Sequence, residues 1–171
     1  VALDVSKNLQ VFSFQPKGMA LEIGFGNGEH LAAQAKNHPD FGYIGVEVFA
    51  NGVANLLSLM TGIHEGQNLP EKFSLEKNRA DNIRIFADDV RLLFAHLPEA
   101  SFDKVYVLFP DPWPKKRHAS RRFINPENLN ELARIMKKGG ILRVATDHKI
   151  YKKWALRQLC ECKHFAWTAK C

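Results

Sequence analysis

The sequence is poor in cysteine and has no long apolar run. Its three cysteines, Cys160, Cys162 and Cys171, are bunched at one end and show no zinc-site spacing. So few thiols favour a reducing compartment, and we expect a cytoplasmic protein without a metal centre; a disulfide between Cys160 and Cys162 is the less favoured alternative. No apolar run approaches the roughly 20 residues of a membrane span, so no membrane partner is expected.

The sequence also lacks a secretory leader and an initial methionine, since it opens on "VALDVSKNLQ". We therefore expect the first residue to lie within a longer protein. The chain has 171 residues, of which 46% are hydrophobic and 25% charged. This composition excludes a disordered chain and is sufficient for one hydrophobic core. Residues 1–171 are thus predicted to form a single domain.

Acidic residues are scarce in the last third of the chain. Residues 1–109 carry 9 Lys/Arg and 13 Asp/Glu, a net charge of −4, whereas residues 110–171 carry 15 and 5, a net charge of +10. A solvated lysine-rich face is one explanation for this skew. A surface that faces a polyanion, such as nucleic acid, is the other.

Apolar segments of strand and helix type alternate along the chain. The helix that Pro126 opens is the best supported, because its apolar residues recur at i, i+3, i+4 and i+7 before "KKGG" ends it. Residues 61–81 lack periodicity and are predicted to be a long loop or an insertion. The predicted strands are 19–25, 43–49, 82–88, 103–109 and 141–147, with a possible sixth at 165–170; the predicted helices are 28–38, 50–60, 89–97, one from 126, and one whose face runs from Tyr151 to Cys162.

Five strand–helix units predict an α/β fold: a Rossmann-like, doubly wound, mainly parallel sheet with helices on both faces. In such a fold, ligands bind at the carboxyl ends of the strands, near the point where the strand order reverses. The residues that follow each strand are therefore the candidates for a binding site.

Three glycines, Gly24, Gly26 and Gly28, follow the first strand and open a helix. Glycine at these points lets the backbone approach a ligand closely, although an incidental strand–helix turn is the alternative. The dinucleotide pattern G-x-G-x-x-G is absent, because Glu29 occupies the place of its third glycine. A carboxylate there would repel a pyrophosphate but suits a neutral or cationic ligand.

Acidic residues lie in or just after the first three strands. Glu47, 23 residues after Gly24, is placed to accept hydrogen bonds from ribose hydroxyls. Asp88 either caps the following helix or accepts from an adenine amino group. Glu22 lies inside the first strand, so its carboxylate needs a partner, for which a cationic ligand group is a candidate. Acidic walls without a phosphate cradle favour S-adenosylmethionine over NAD.

The fourth strand runs into "FPDPWPKKRHASRRF", residues 109–123. Asp111 stands at the strand's end between prolines, which stiffen the loop. Trp113 either stacks on a base or anchors the loop. Basic residues beside the pocket are expected to hold nucleic-acid phosphates, with strong salt dependence. These residues are Lys115, Lys116, Arg117, Arg121 and Arg122.

The motifs "LEIGFGNGEHL", "GVEVF", "ADDV", "FPDPWPKKRH" with its Arg-Arg pair, and "RVATDHKIY" follow one another along the chain. By these motifs the chain resembles the bacterial tRNA (guanine-N7)-methyltransferases, a branch of the class I, Rossmann-like methyltransferases. The fourth motif is highly specific, whereas "GFGNG" marks only the superfamily. The resemblance implies methyl transfer from S-adenosylmethionine to N7 of the variable-loop guanine of tRNA, with S-adenosylhomocysteine as product.

The resemblance also implies roles for single residues. Glu22, Glu47, Asp88 and Asp111 match positions that contact S-adenosylmethionine, and Asp111 matches the proposed catalytic residue of the family. Lys115 and Asp147 match substrate positions, although Asp147 capping the last helix is an alternative. Guanine N7 has a lone pair and no proton, so we expect Asp111 to orient the base rather than to act as a strong base.

Three departures from the family pattern stand out. The stretch 61–81 looks longer than usual, and Ala119 and Ser120 stand where the family often has further polar or basic residues. A basic N-terminal arm and the C-terminal "T-x-[FY]-E" segment are absent, so we expect the C-terminal strands to be incomplete.

Other functions fit parts of the pattern. An exocyclic-amine methyltransferase typically has [DN]-P-P-[YF] where this chain has "DPWP", and Glu29 argues against an NAD(P)-dependent oxidoreductase. A non-catalytic RNA-binding module leaves the acidic strand ends unexplained. Both a monomer and a homodimer are compatible with the sequence.

Overall fold

The computed structural model describes residues 11–61 and 81–168. Nearly all of the predicted loop or insertion at 61–81 lies outside these ranges. The described residues alternate strand and helix as predicted, with ends that differ by a few residues. The elements are β1 Gly18–Ile23, α1 Glu29–Asn37, β2 Phe41–Val46, α2 Ala50–Thr61, β3 Ile83–Phe86, α3 Val90–Phe94, β4 Phe102–Leu108, a 3₁₀ helix Lys116–Arg121, α4 Pro126–Ile135, β5 Met136–Ala145 and α5 Lys149–Glu161.

The five strands form one parallel sheet in the order β3-β2-β1-β4-β5. The chain builds outward from β1 to β3 and then crosses back to place β4 on the other side of β1. The strand order therefore reverses between β1 and β4. This is the predicted doubly wound arrangement, and it puts the switch point at the carboxyl ends of these two strands.

Two hydrophobic clusters cover the two faces of the sheet. One contains apolar residues of α3, α4 and α5 and the alternate strand residues Leu21, Ile23, Val105 and Val107. The other contains residues of α1 and α2 packed on Ala20, Tyr106 and their neighbours. Successive strand residues point to opposite faces, so Glu22 shares the face of Ala20, beneath α1.

The start of α4 follows from its sequence. Asn125 is the N-cap, whose side-chain oxygen accepts a hydrogen bond from the backbone N–H of Asn128 at 2.9 Å, and Pro126 fills the first turn. The end differs from prediction, because the helix stops at Ile135, before "KKGG". Met136 already pairs with Phe102 of β4, and an irregularity in register follows before Ile141 pairs with Lys104.

The possible sixth strand is not formed in the described part of its range, since residues 165–168 have no strand structure. Residues 169 and 170 lie outside the described residues. Cys160 and Cys162 are free thiols, which contradicts the alternative of a disulfide between them.

In the described ranges, no helix has the length and apolar character needed to cross a membrane. The same part of the chain holds no cluster of three or more His, Cys, Asp or Glu side chains that would bind a metal ion.

Candidate active site

The loop after β1 has one open side and one packed side. Gly24 and Gly26 have φ values of 70° and 57°, which L side chains rarely adopt, and a Cβ on either would meet no atom within 4 Å. On the packed side, a Cβ on Gly52 of α2 would lie 2.3 Å from the Gly26 carbonyl oxygen. Gly28 also faces the packed side, because its Cβ would lie 2.7 Å from the Cβ of Leu56. Gly24 and Gly26 therefore present open backbone to a ligand, while Gly28 lets α2 pack closely.

Glu47 ties this loop to the end of β2. The residue is 6% exposed, and its Oε2 accepts a hydrogen bond from the Gly26 N–H at 2.8 Å. Its Oε1 accepts from the N–H groups of Val48 at 2.8 Å and Phe49 at 3.0 Å. A carboxylate has about four acceptor sites, so these three bonds leave capacity for about one more. Glu47 thus shapes the loop and keeps limited capacity for a ligand hydroxyl.

Glu22 has a partner within the chain. The residue is 3% exposed, and its Oε2 lies 2.7 Å from Nδ1 of His30, in the first turn of α1. The His30 ring meets Tyr106 of β4 edge-on, with ring centroids 4.8 Å apart. Burial raises the pKa of Glu22, and the hydrogen bond and charge of His30 oppose that rise. The Glu22 carboxylate therefore already has one hydrogen-bond partner, His30, without a cationic ligand.

The two aspartates after β3 have different tasks. Asp89 is the N-cap of α3: its side chain accepts from the Arg91 N–H at 2.9 Å, and the two side chains form an ion pair. The hydrogen bond from Arg91 lowers the pKa of Asp89. Asp88 is exposed and accepts only from the N–H of Asp89, at 2.7 Å, among the described residues. The capping alternative for Asp88 is therefore wrong, and its carboxylate remains available to a ligand.

A turn with unusual backbone follows β4 and carries Asp111. Phe109 has a φ of 51° and Trp113 a φ of 40°. The left-handed region costs a non-glycine residue roughly 1–2 kcal/mol, so the surrounding structure has to hold this turn in place. The Phe109 N–H still donates to the Ala145 carbonyl at 2.8 Å, while the residue as a whole is 66% exposed. Asp111 is exposed, two residues beyond, at the switch point of the sheet.

Arg122 holds this turn from inside. The residue is 5% exposed; its Nε donates to the Pro112 carbonyl at 3.1 Å, and its Nη2 donates to the Trp113 carbonyl at 2.9 Å. The guanidinium also lies 4.8 Å from the centre of the Trp154 ring of α5. This placement differs from the predicted phosphate contact, because the guanidinium is occupied by the turn that carries Asp111.

The other basic residues of the loop face solvent. Lys115, Lys116, Arg117 and Arg121 are all exposed, on or next to the 3₁₀ helix. The Arg121 guanidinium lies 4.9 Å from the centre of the Trp113 ring. His118 meets that ring edge-on, with centroids 5.8 Å apart. Trp113 is thus surrounded by its own loop, which agrees with the anchoring alternative predicted for it.

Asp147 follows β5 and is exposed. The N-cap of α5 is His148 instead, whose N–H donates to Oγ1 of Thr146 at 3.2 Å. Asp147 therefore does not cap the helix, and its side chain stays at the carboxyl edge of the sheet.

Comparison with known proteins supports the family resemblance that the sequence motifs suggested. A family model described as "Putative methyltransferase" matches residues 16–170. A tRNA (guanine-N(7)-)-methyltransferase of Bartonella henselae is 39% identical over 175 residues, which cover 98% of this chain and 70% of that protein. This chain belongs to the tRNA (guanine-N(7)-)-methyltransferase family. The resemblance predicted from its motifs is thereby confirmed.

Two further relatives carry the same name. The protein of Paramagnetospirillum magneticum is 52% identical over 139 residues, covering 81% of this chain and 52% of the relative. The protein of Rhodospirillum rubrum is 45% identical over 150 residues, covering 88% of this chain and 53% of the relative. The chain thus spans about half the length of these two relatives.

Solved structures agree on the fold. The 16S rRNA (adenine(1408)-N(1))-methyltransferase from Catenulisporales acidiphilia aligns with a TM-score of 0.61 at 16% identity, covering 96% of this chain and 68% of that one. Its W203A mutant with cosubstrate SAM aligns with a TM-score of 0.59 at 17% identity, covering 94% and 65%. Likeness at this identity shows the class I methyltransferase fold alone.

Sequence reasoning overlooked His30 and Trp154. The sequence did contain a local signal for His30, namely a buried acid on a strand followed by a histidine in the first turn of the next helix. It contained no local signal for Trp154, because this residue lies 32 positions along the chain from Arg122, whose guanidinium it covers.

Proposed function

We propose that the full-length protein transfers a methyl group from S-adenosylmethionine to N7 of the variable-loop guanine of tRNA, in the cytoplasm. The observation that carries this proposal is the arrangement at the switch point of the sheet. On one side of the switch point, acidic residues lie in or after β1, β2 and β3. On the other side, β4 is followed by an exposed aspartate and then by exposed cations. Family membership gives the reaction, and the arrangement gives each part a task.

S-adenosylmethionine fits the residues present better than NAD does. Gly24 and Gly26 leave an open cradle, and Glu29 at the start of α1 discourages a pyrophosphate. Asp88 has an uncommitted oxygen for an adenine amino group, and Glu47 has capacity for a ribose hydroxyl. Glu22 supplies the negative charge that an α-amino group needs. The site therefore suits a ligand with a nucleoside and an amino acid but no phosphate.

When bound, S-adenosylmethionine supplies the methyl carbon: its bond to sulfur breaks as the bond to guanine N7 forms, the sulfur keeps the electron pair, and the positive charge passes to the base. The chain does not have to remove a proton, because N7 carries none. Alignment of the reacting groups accounts for much of the acceleration in such a step, up to roughly 7–11 kcal/mol. The task of the protein residues is therefore to position the base.

Asp111 is the residue we assign to that task. Its exposed carboxylate accepts hydrogen bonds from the guanine N1–H and exocyclic amine, which orients N7 toward the cofactor and offsets the charge that develops on the base. Arg122 serves the same end indirectly, because it bonds two carbonyls of the turn that carries Asp111. A rigid turn keeps the carboxylate in one place, which matters because small misplacements cost large factors in rate.

The exposed cations bind the RNA. Lys115, Lys116, Arg117 and Arg121 lie on or next to one short helix beside the turn, where they reach phosphates around the target base. Asp147 lies at the end of β5 and contributes to the substrate side of the same edge. Since these contacts are ionic and exposed, tRNA binding is expected to weaken steeply with salt.

One assay tests this function. Unmodified tRNA is incubated with the full-length protein and labelled S-adenosylmethionine, and the methylated base is mapped by borohydride reduction and aniline cleavage, which reports N7-methylguanine. We expect label and cleavage at the variable-loop guanine. Label on an adenine amine would favour the exocyclic-amine alternative, and preferential binding of NAD would favour the oxidoreductase alternative. Either result contradicts the proposal.

A further inference from the structure

The proposed reaction gives Glu22 a task but none to His30, the residue that Glu22 contacts. Glu22 is 3% exposed in the middle of a parallel sheet. Its Oε2 lies 2.7 Å from Nδ1 of His30, and within the described residues no hydrogen bond reaches its Oε1. One oxygen is therefore held while the other is free.

His30 is itself held in place. It lies in the first turn of α1, directly after the glycine loop, and its ring packs edge-on against Tyr106 of β4. The charge of Glu22 also reaches two tyrosines, Tyr43 of β2 and Tyr106 of β4. No lysine or arginine of the described residues bonds to this carboxylate. Arg143 of β5 pairs with Tyr106 rather than with Glu22, so Oε1 is left as an acceptor that the ammonium group of a ligand can use.

We propose that His30 is a positioning residue: its Nδ1 holds one oxygen of Glu22 so that the other is presented to the α-amino group of the methyl donor. The inference rests on the proposed function, because it takes the ligand of this site to be S-adenosylmethionine. It assigns to a residue of α1 the recognition of the amino-acid part of that ligand, separately from the nucleoside part, which Glu47 and Asp88 serve.

The energetics favour this assignment over a purely structural one. Burial alone pushes Glu22 toward its protonated form, in which it attracts an ammonium group poorly. A hydrogen bond from His30 opposes that tendency and fixes the rotamer of the carboxylate at the same time. An apolar residue at position 22 would pack the same space without any of these costs, so the acid and its partner are best explained by a ligand.

The test compares two ligands by calorimetric titration of the full-length protein. S-adenosylhomocysteine carries the amino-acid part, and 5′-methylthioadenosine lacks it. In His30→Phe the ring against Tyr106 is kept and the donor is lost; in His30→Asn an amide N–H takes the approximate place of Nδ1. We expect His30→Phe to weaken S-adenosylhomocysteine about tenfold or more and methylthioadenosine by less than about twofold. We expect His30→Asn to recover most of the loss.

A second measurement distinguishes the loss of this one contact from a general change in folding caused by His30→Phe. In a Glu22→Gln background, His30→Phe should cause less than about a threefold further loss of S-adenosylhomocysteine affinity, because the two residues act through one contact. The inference is overturned if His30→Phe weakens both ligands equally or neither, or if its effect persists without the Glu22 carboxylate. If the unaltered protein binds neither ligand, the proposed function fails and the inference falls with it.

Discussion

The two sides of the candidate site solve different problems with charged residues. On the side of β1 and β2 the acids are buried and already bonded: Glu22 to His30, and Glu47 to three backbone N–H groups. On the side of β4, Asp111 and the loop cations are exposed. The first side is shaped before a ligand arrives, whereas the second side, under the proposed function, acts on a large anion through screened, adjustable contacts.

Arg122 differs from the other charged residues on the side of β4, because it is buried. It is as buried as the acids of the first side, and it bonds the turn that carries Asp111 rather than facing solvent. One inward arginine therefore holds the turn that carries Asp111, the proposed catalytic residue.

Loss of the Asp111 carboxylate should abolish the orienting contact without removing any part of the fold. We expect Asp111→Asn to lower kcat/KM for tRNA methylation about 100-fold or more, which is the scale of losing an oriented electrostatic contact to the transition state. Initial rates with labelled S-adenosylmethionine measure the change. Asp40→Asn is the matched control, since Asp40 is an exposed aspartate just before β2, at the opposite edge of the sheet. Activity of Asp111→Asn within about threefold of the control would contradict the orienting role.

Alanine substitutions of Arg122 and Arg117 should change different properties of the enzyme if the inward and outward arginines have separate tasks. Arg122→Ala should lower kcat about tenfold or more and lower the melting temperature, because it leaves two carbonyls of the turn without donors. Arg117→Ala should leave kcat almost unchanged and reduce the slope of log affinity against log salt by about 0.7–0.9. Steady-state kinetics and filter binding over a salt series measure both. The distinction breaks down if Arg122→Ala changes the salt slope as much as Arg117→Ala does.

Glu22 should be a site where the binding function costs stability. Because burial raises its pKa, its contribution to stability is fully present below the ordinary glutamate pKa, about 4.3, and is lost as the pH rises through the raised value. Glu22→Gln cannot ionise, so we expect it to melt at a higher temperature than the unaltered protein at neutral pH. The difference should vanish in acid. Calorimetric melting over a pH series measures it, and an equal or lower melting temperature at neutral pH would contradict the prediction.

Asp89 caps α3 and belongs to neither side of the site. Its substitution should therefore have the smallest effect on methylation. Asp89→Ala should cost about 1 kcal/mol of unfolding free energy at neutral pH, with little change in methylation. Because the Arg91 hydrogen bond lowers its pKa, the contribution is present above the ordinary aspartate pKa and is lost as the pH falls through the lowered value. Urea titrations at neutral and acidic pH measure the gap, which should shrink in acid. Asp88→Ala is the control, with no loss of the cap.

Much of the fold was predictable because its signals are local. Nearly continuous apolar runs located β1 to β5, and Pro126 with the helical period of apolar residues after it located α4. The start of β5 was missed, because the pairing of Met136 with Phe102 is a contact between strands far apart in sequence. The choice between Asp88 and Asp89 as a cap was missed for another reason: neighbouring residues of one type differ only in backbone conformation, which local composition does not encode.

The sequence predicted candidate site residues in or after the strands, but not the contacts that these residues make. Glu22, Glu47, Asp88 and Asp111 were named in this way, and their roles stay predictions. The direction in which Arg122 points was not predicted, since Arg117, Arg121 and Arg122 look equivalent in a basic run. Its position was decided by Trp154 and by two carbonyls of the preceding turn, all brought together by packing.

The family, the order of strands and helices, and the edge of the sheet where the candidate site is expected all followed from the sequence, because periodicity, motifs and the rule for parallel sheets need no coordinates. The tertiary structure alone decided which charges are buried and which face solvent. A buried carboxylate or guanidinium depends on partners that other segments supply, and only folding brings those partners within hydrogen-bond distance.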